Sequence, residues 1–123
     1  MIEAGSHQRA MRLVADGAVD GAAIDSQVLA IESRDHPELA EQLRVVDSFG
    51  PSTIQPVVAA HRLDAGLTRA LRGVLLHLHT DQAAQEALAH GFVARFVAVN
   101  DARYDDIRTM LDAAERSGFM EIR

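Results

Sequence analysis

The chain has 123 residues, of which 48% are hydrophobic and 24% are charged, and it contains no cysteine. This length is sufficient for one compact core, and the lack of cysteine excludes disulfide bonds and thiolate chemistry. The formal net charge of −6 disfavours non-specific nucleic-acid binding, which needs a cationic surface, so nucleic acid is not expected as a partner.

Targeting signals are not evident in the sequence. No apolar run approaches the roughly 20 residues that a membrane-spanning helix needs. The first five residues lack the basic start and apolar stretch of a signal peptide. By itself, the sequence therefore indicates either a cytoplasmic chain or a piece of an exported protein.

The first half of the chain alternates between helical and strand patterns. Ser6 is a good N-cap for a helix predicted over 7–16, and Gly17 is a natural helix stop. The elements predicted next, in chain order, are a strand at 21–24 and helices over 26–33 and 36–43.

The second half of the chain continues this alternation. Its predicted elements are strands at 43–49 and 57–60, helices over 64–79, 81–90 and 103–117, and an apolar run of uncertain type at 92–99. Alternating helices and short strands predict an α/β fold in which helices pack on a small mixed sheet. Because few strands are convincing, we expect this sheet to be incomplete in a single chain.

The start of the first predicted helix is the first candidate for ligand binding. Gly5, Ser6 and His7 precede or begin that helix, where unpaired backbone N–H groups and the helix dipole favour an oxyanion. A hydroxyl and an imidazole add side-chain donors. The alternative is that Ser6 only caps the helix and His7 is solvated.

Further polar residues follow the predicted strands. Asp25 stands at the C-terminal end of the strand at 21–24, the position that lines the ligand crevice in α/β sheets, although it is equally suited to cap the next helix. Ser52 and Thr53 lie in a turn after the strand at 43–49. They can contact a ligand there, but both are ordinary turn residues.

Metal binding and catalysis are not supported by any motif. His77 and His79 are two residues apart on a predicted helix, so their side chains point in different directions. No glycine-flanked serine nucleophile and no phosphate-binding or dinucleotide-binding loop is present. We therefore expect no metal, no cofactor and no enzymatic activity.

Four stretches together resemble the phosphate/phosphonate-type periplasmic substrate-binding proteins of ABC transporters. These are GSHQRAMRLVADGAVDGAAIDS at 5–26, HPELAEQLRVV at 36–46, VVAAHRLDAGLTRALRGVLLHLHTD at 57–81 and GFVARFVAVNDARYDDIRTML at 91–111. The resemblance implies a class II periplasmic-binding-protein fold, partial in this chain, and a periplasmic location. Its ligand would be phosphate, phosphonate or a similar small oxyanion, passed on to a transporter permease.

The resemblance also implies a domain organisation and a set of ligand contacts. Residues 1–46 would be a remnant of the second lobe, 47–54 the crossing segment, and 55–123 the part that returns to the first lobe. Gly5, Ser6 and His7 would face the anion, with Asp25 at the hinge and Ser52 and Thr53 at the crossing. Because the helices present apolar faces, we also expect self-association into a homo-oligomer. The alternative is an interaction module or sensor domain that has lost small-ligand binding.

Overall fold

The computed structural model describes residues 2–118, and in this part of the chain all regular structure is helical. The α-helices are α1 His7–Ala15, α2 Ser26–Asp35, α3 Pro37–Ala40, α4 Ala65–His77, α5 Gln82–His90 and α6 Asp105–Arg116. Short 3-10 turns at Leu78–Thr80 and Asp101–Tyr104 follow α4 and precede α6. The chain divides into two compact units: residues 2–49 with His90–Phe92, and residues 50–89 with 93–118.

The first unit is organised around α1. This helix packs against α2 and α3, and its Met11 is the one large side chain among the described residues that is only 1% exposed. Gly17, at a φ of +69°, ends α1 as predicted, because a residue without Cβ adopts this left-handed conformation readily. The amide of Ala18 then donates to the carbonyl of Leu13 at 2.9 Å.

Two side chains of α2 form hydrogen bonds with the backbone at the end of α5. Gln27 Nε2 donates to the Gly91 carbonyl at 2.6 Å, and Arg34 Nη1 donates to the His90 carbonyl. The Arg34 guanidinium also pairs with Asp35 and lies 5.2 Å from the centre of the Phe92 ring. These contacts satisfy carbonyl groups that the end of a helix leaves without an internal partner.

The second unit contains α4, α5 and α6 with little burial. Leu88 of α5 is its one large hydrophobic residue classed as buried among those described. A contact between distant parts of the sequence joins a loop to α6, since the Thr53 amide donates to Asp106 Oδ2 at 2.7 Å. The apolar faces of α4 and α6 are largely exposed.

The predicted α/β class is wrong for residues 2–118, which contain helices but no strand and no sheet. The runs predicted as strands, at 21–24, 43–49 and 57–60, are neither helical nor paired with another run of the described chain. Val46 and Phe49 are 82% and 91% exposed. A strand requires hydrogen bonds from a neighbouring strand, and the described residues supply no such neighbour.

Candidate functional site

The start of α1 has the geometry of an open helix N-terminus. Gly5 adopts a φ of +77°, and Ser6 is extended, at φ −153° and ψ 157°. Ser6 Oγ accepts a hydrogen bond from the Arg9 amide at 3.2 Å, and the Ser6 carbonyl accepts one from Ala10 at 3.0 Å. The backbone N–H groups of His7 and Gln8 have no acceptor among residues 2–118. Two amide donors are therefore open to solvent at this end of α1.

Charge at the start of α1 is favourable for an anion. The first turn contains no acidic side chain, so the partial positive charge of the helix N-terminus is not neutralised there. His7 and Arg9 are exposed, and neither forms an ion pair within the described part of the chain. The Ser6 hydroxyl, although it accepts from Arg9, keeps its own hydrogen for donation. This arrangement can bind an oxyanion through amide and hydroxyl donors.

The start of α2 is built differently. Asp25 Oδ1 accepts hydrogen bonds from the amides of Gln27 at 2.9 Å and Val28 at 3.0 Å, and the Asp25 carbonyl accepts from Leu29 at 2.9 Å. The half-buried carboxylate therefore brings its own negative charge to the N-terminus of α2, where it offsets the positive end of the helix dipole. The capping role is shown by these contacts, whereas a contact of Asp25 with ligand stays a prediction.

Ser52 and Thr53 belong to the second unit. The Thr53 amide donates a hydrogen bond to Asp106 Oδ2 at 2.7 Å, and the Thr53 hydroxyl donates one to the Arg103 carbonyl at 2.8 Å. The hydrogen bond from the Thr53 amide is the largest cause of the lowered pKa of the Asp106 carboxyl, because it favours the charged form. Ser52 is exposed. The Thr53 donors thus serve the fold, and ligand contacts of this pair stay predictions.

The predicted site residues fall into three places. Gly5, Ser6 and His7 form one local group at the start of α1, and Asp25 lies in the same unit at the start of α2. Ser52 and Thr53 lie in the other unit. The structure therefore brings Gly5, Ser6 and His7 together and shows the capping alternative for Ser6 and Asp25. Ligand contacts of all six residues stay predictions.

An open groove of about 600 Å³ in the first unit was not expected from the sequence. Residues of α1 and of the run that follows it line the groove, together with the N-terminal segment: Ile2, Ala4, Ala10, Leu13 and 18–23. The available signal is the run of small residues at 21–23, whose short side chains leave this space unfilled. Its one charged lining residue is Asp20.

Residues 2–118 contain neither a metal-binding cluster nor a membrane-spanning helix. The described side chains include no group of three or more His, Cys, Asp or Glu residues that could hold a metal ion. Among the helices of this part of the chain, none has the length and apolar character that crossing a membrane requires.

The sequence matches the model of a known protein family. The family described as "ABC transporter, phosphonate, periplasmic substrate-binding protein" matches residues 1–104. The chain belongs to this family, whose members are periplasmic substrate-binding components of phosphonate transporters. None of the curated proteins matches the chain significantly.

Proposed function

We propose that this chain acts in the periplasm by binding a phosphonate, phosphate or similar small oxyanion for an ABC transporter, and that the transporter permease is its protein partner. The observation that carries this proposal is the family match over residues 1–104. The chain would perform no covalent chemistry. Its work would be to capture the anion and present it to the permease.

The start of α1 is the proposed place of anion binding. Phosphonates and phosphate carry negative charge on tetrahedral oxygens, which accept hydrogen bonds from amide and hydroxyl donors. The His7 and Gln8 amides and the Ser6 hydroxyl supply three donors on one helix turn. His7 adds an imidazole, which donates from a ring N–H and carries positive charge when protonated. In this proposal Gly5 allows the chain to turn into the helix at positive φ.

The remaining predicted residues and boundaries are part of the same proposal. Asp25 would lie near the bound anion at the hinge, where it accepts from a protonated ligand oxygen or an ammonium group. Ser52 and Thr53 would contact the ligand from the crossing segment, 47–54. Residues 1–46 would derive from one lobe of the binding protein and 55–123 from the other.

The direct test is titration calorimetry of the purified chain with inorganic phosphate and with methylphosphonate. Saturable heat is expected with at least one of the two. Ser6→Ala removes one donor and a helix cap, and His7→Ala removes the imidazole, so each substitution is expected to weaken binding severalfold. Ser117→Ala and His61→Ala are matched controls, because both side chains are exposed and lie outside the proposed site.

The results separate the family function from the location of the site. Saturable binding that all four variants share equally would keep the function but remove the anion from α1. A folded chain that gives no heat with millimolar ligand would contradict the proposed function.

Self-association is the second candidate function, since one observation favours it specifically. Sixteen large hydrophobic side chains among the described residues are classed as exposed. Apolar surface of this extent marks interaction sites in soluble proteins. In this alternative the chain would serve as a homo-oligomeric interaction module or a sensor domain, without binding a small ligand.

A further inference from the structure

Two helices of the second unit expose apolar stripes to solvent. On α4 the stripe consists of Leu67, Leu71 and Val74, and on α6 it consists of Ile107, Met110 and Leu111. Their spacing of three or four residues places each set on one face of its helix. All six side chains are between 42% and 61% exposed. Both helices are thus amphipathic with the apolar face open.

The second unit does not cover these stripes itself. Within the described residues, α4 packs mainly against the 3-10 turn that follows it, and α6 against the 3-10 turn that precedes it. Both of these contacts are with neighbours in sequence and do not bury the stripes, as the exposure of Leu71 and Met110 shows. An additional surface is needed to remove these side chains from water.

The two helices carry opposite charge. Helix α4 contains Arg69 and Arg72 and no acidic residue, and neither arginine forms an ion pair within residues 2–118. Helix α6 contains four acidic residues and two arginines. One of these, Arg108, is already paired with Asp101 at 2.6 Å and with Asp105 at 2.7 Å. Packed helix axes lie about 8–10 Å apart, and the Debye length at physiological ionic strength is about 8 Å. Opposite charges on two packed helices therefore still attract each other at this salt concentration.

We propose that a second copy of this chain covers the stripes, with α4 of each copy packed on α6 of the other. This specifies the self-association named above and rests on that candidate, not on ligand binding. Each chain carries one basic and one acidic amphipathic helix. Two copies therefore make two identical, charge-complementary contacts about a two-fold axis. No second kind of protein is required.

The exposed area agrees with a dimer of ordinary size. Six large side chains that are about half exposed present on the order of a few hundred Å² of apolar surface, the size of patch that marks interaction sites. A standard interface buries about 800 Å² on each partner, and homodimer interfaces are about 65% apolar. The two stripes therefore provide a large part of the apolar share of one half of such an interface, and polar side chains beside them provide the rim.

The oligomeric state of the full chain tests this proposal. Sedimentation equilibrium at micromolar concentration is expected to give twice the 13.3 kDa of one chain. Leu71→Glu on α4 and Met110→Lys on α6 are each expected to raise the dimer dissociation constant at least tenfold. Val45→Glu is the matched control, since Val45 is an exposed apolar residue of the first unit, outside both stripes, and it is expected to leave the mass unchanged. Helical circular dichroism checks that each variant is folded.

Introduced thiols test the pairing directly, because the chain has no cysteine of its own. Leu71→Cys and Met110→Cys are prepared in separate chains, mixed and oxidised. A disulfide between the two kinds of chain, in excess over those formed by either alone, supports the α4–α6 contact. A monomeric mass would remove self-association altogether. A dimer unaffected by Leu71→Glu and Met110→Lys, or an internal disulfide when one chain carries both substitutions, would overturn the proposed interface while leaving the ligand proposal intact.

Discussion

The first two helices of the chain begin with different capping groups, and the difference decides what each start can bind. A neutral hydroxyl, that of Ser6, caps α1 through the Arg9 amide. A carboxylate, that of Asp25, caps α2 through the amides of Gln27 and Val28. Both groups are among the preferred N-caps. Only the neutral cap leaves the positive helix terminus available to an external anion.

This comparison shows why capping and binding are compatible roles at α1. The serine oxygen accepts one hydrogen bond and keeps its hydrogen, and the first two amides of the helix have no acceptor among residues 2–118. At α2 the carboxylate accepts two amides and adds a charge that repels a second anion. The side chain before a helix thus determines the sign of the charge that the helix start attracts.

The substitution with the largest expected effect removes the packing that holds α1. Met11 is fully buried, so Met11→Ala is expected to lower the free energy of unfolding of the first unit by about 2–5 kcal/mol. Met11→Leu keeps the volume and is expected to cost less than about 1.5 kcal/mol. Urea denaturation followed by circular dichroism measures both. A loss below about 1 kcal/mol for Met11→Ala would show that Met11 is not the core of this unit.

Converting the cap of α1 to that of α2 is expected to have the next largest effect. Ser6→Asp retains a good N-cap, so stability should stay within about 0.5 kcal/mol. The new carboxylate opposes the bound anion, and affinity for phosphate or methylphosphonate is expected to fall at least tenfold, or by about 1.4 kcal/mol. Titration calorimetry and thermal denaturation separate the two effects. Unchanged affinity would place the anion elsewhere.

The smallest effect is expected at the cap of α2. Asp25→Ala removes the acceptor for two amides, and we expect a loss of about 1 kcal/mol in stability. Asp25→Asn is the control, because the amide oxygen still caps the helix. The same two variants test the predicted ligand contact: affinity that falls in both, while Asp25→Asn remains stable, would assign Asp25 a role in binding. Affinity that is unchanged in Asp25→Asn would leave it as a cap only.

The helices were predictable from the sequence because their signals are local. The predicted spans 7–16, 26–33 and 81–90 are confirmed as His7–Ala15, Ser26–Asp35 and Gln82–His90. Capping residues and apolar spacing within one segment are sufficient for such predictions. The helices predicted over 64–79 and 103–117 are also confirmed, each with its α-helical part shortened by a 3-10 turn at one end.

The strands were not predictable in the same way. Apolar, β-branched runs such as 57–60 favour an extended backbone, and this run is non-helical in the structure. Sheet formation depends in addition on a partner strand that is distant in sequence or in another chain. The pattern of a single run contains no information about that partner, so an unpaired extended run and a strand have the same sequence pattern.

The candidate site was predictable to the same extent as the helix start that forms it. Ser6 precedes an evident helix, so its cap and the open amides beside it follow from local rules. The hydrogen bonds from Thr53 to Asp106 and Arg103 do not follow from local rules, since about 50 residues separate these partners. The hydrogen bonds from Gln27 and Arg34 to the carbonyls of residues 90–91 are likewise not predictable from the sequence.

The sequence by itself determined the family, the existence of the helices and the capping groups at their starts, although the helix predicted over 36–43 forms only at Pro37–Ala40. Each of these depends on residue order or on contacts within about one helical turn. Only the tertiary structure decided that the extended runs are unpaired, that Met11 is the buried residue of the first unit, and that the stripes of α4 and α6 are open. The physical reason is that burial and strand pairing depend on which distant surfaces meet, and helix initiation does not.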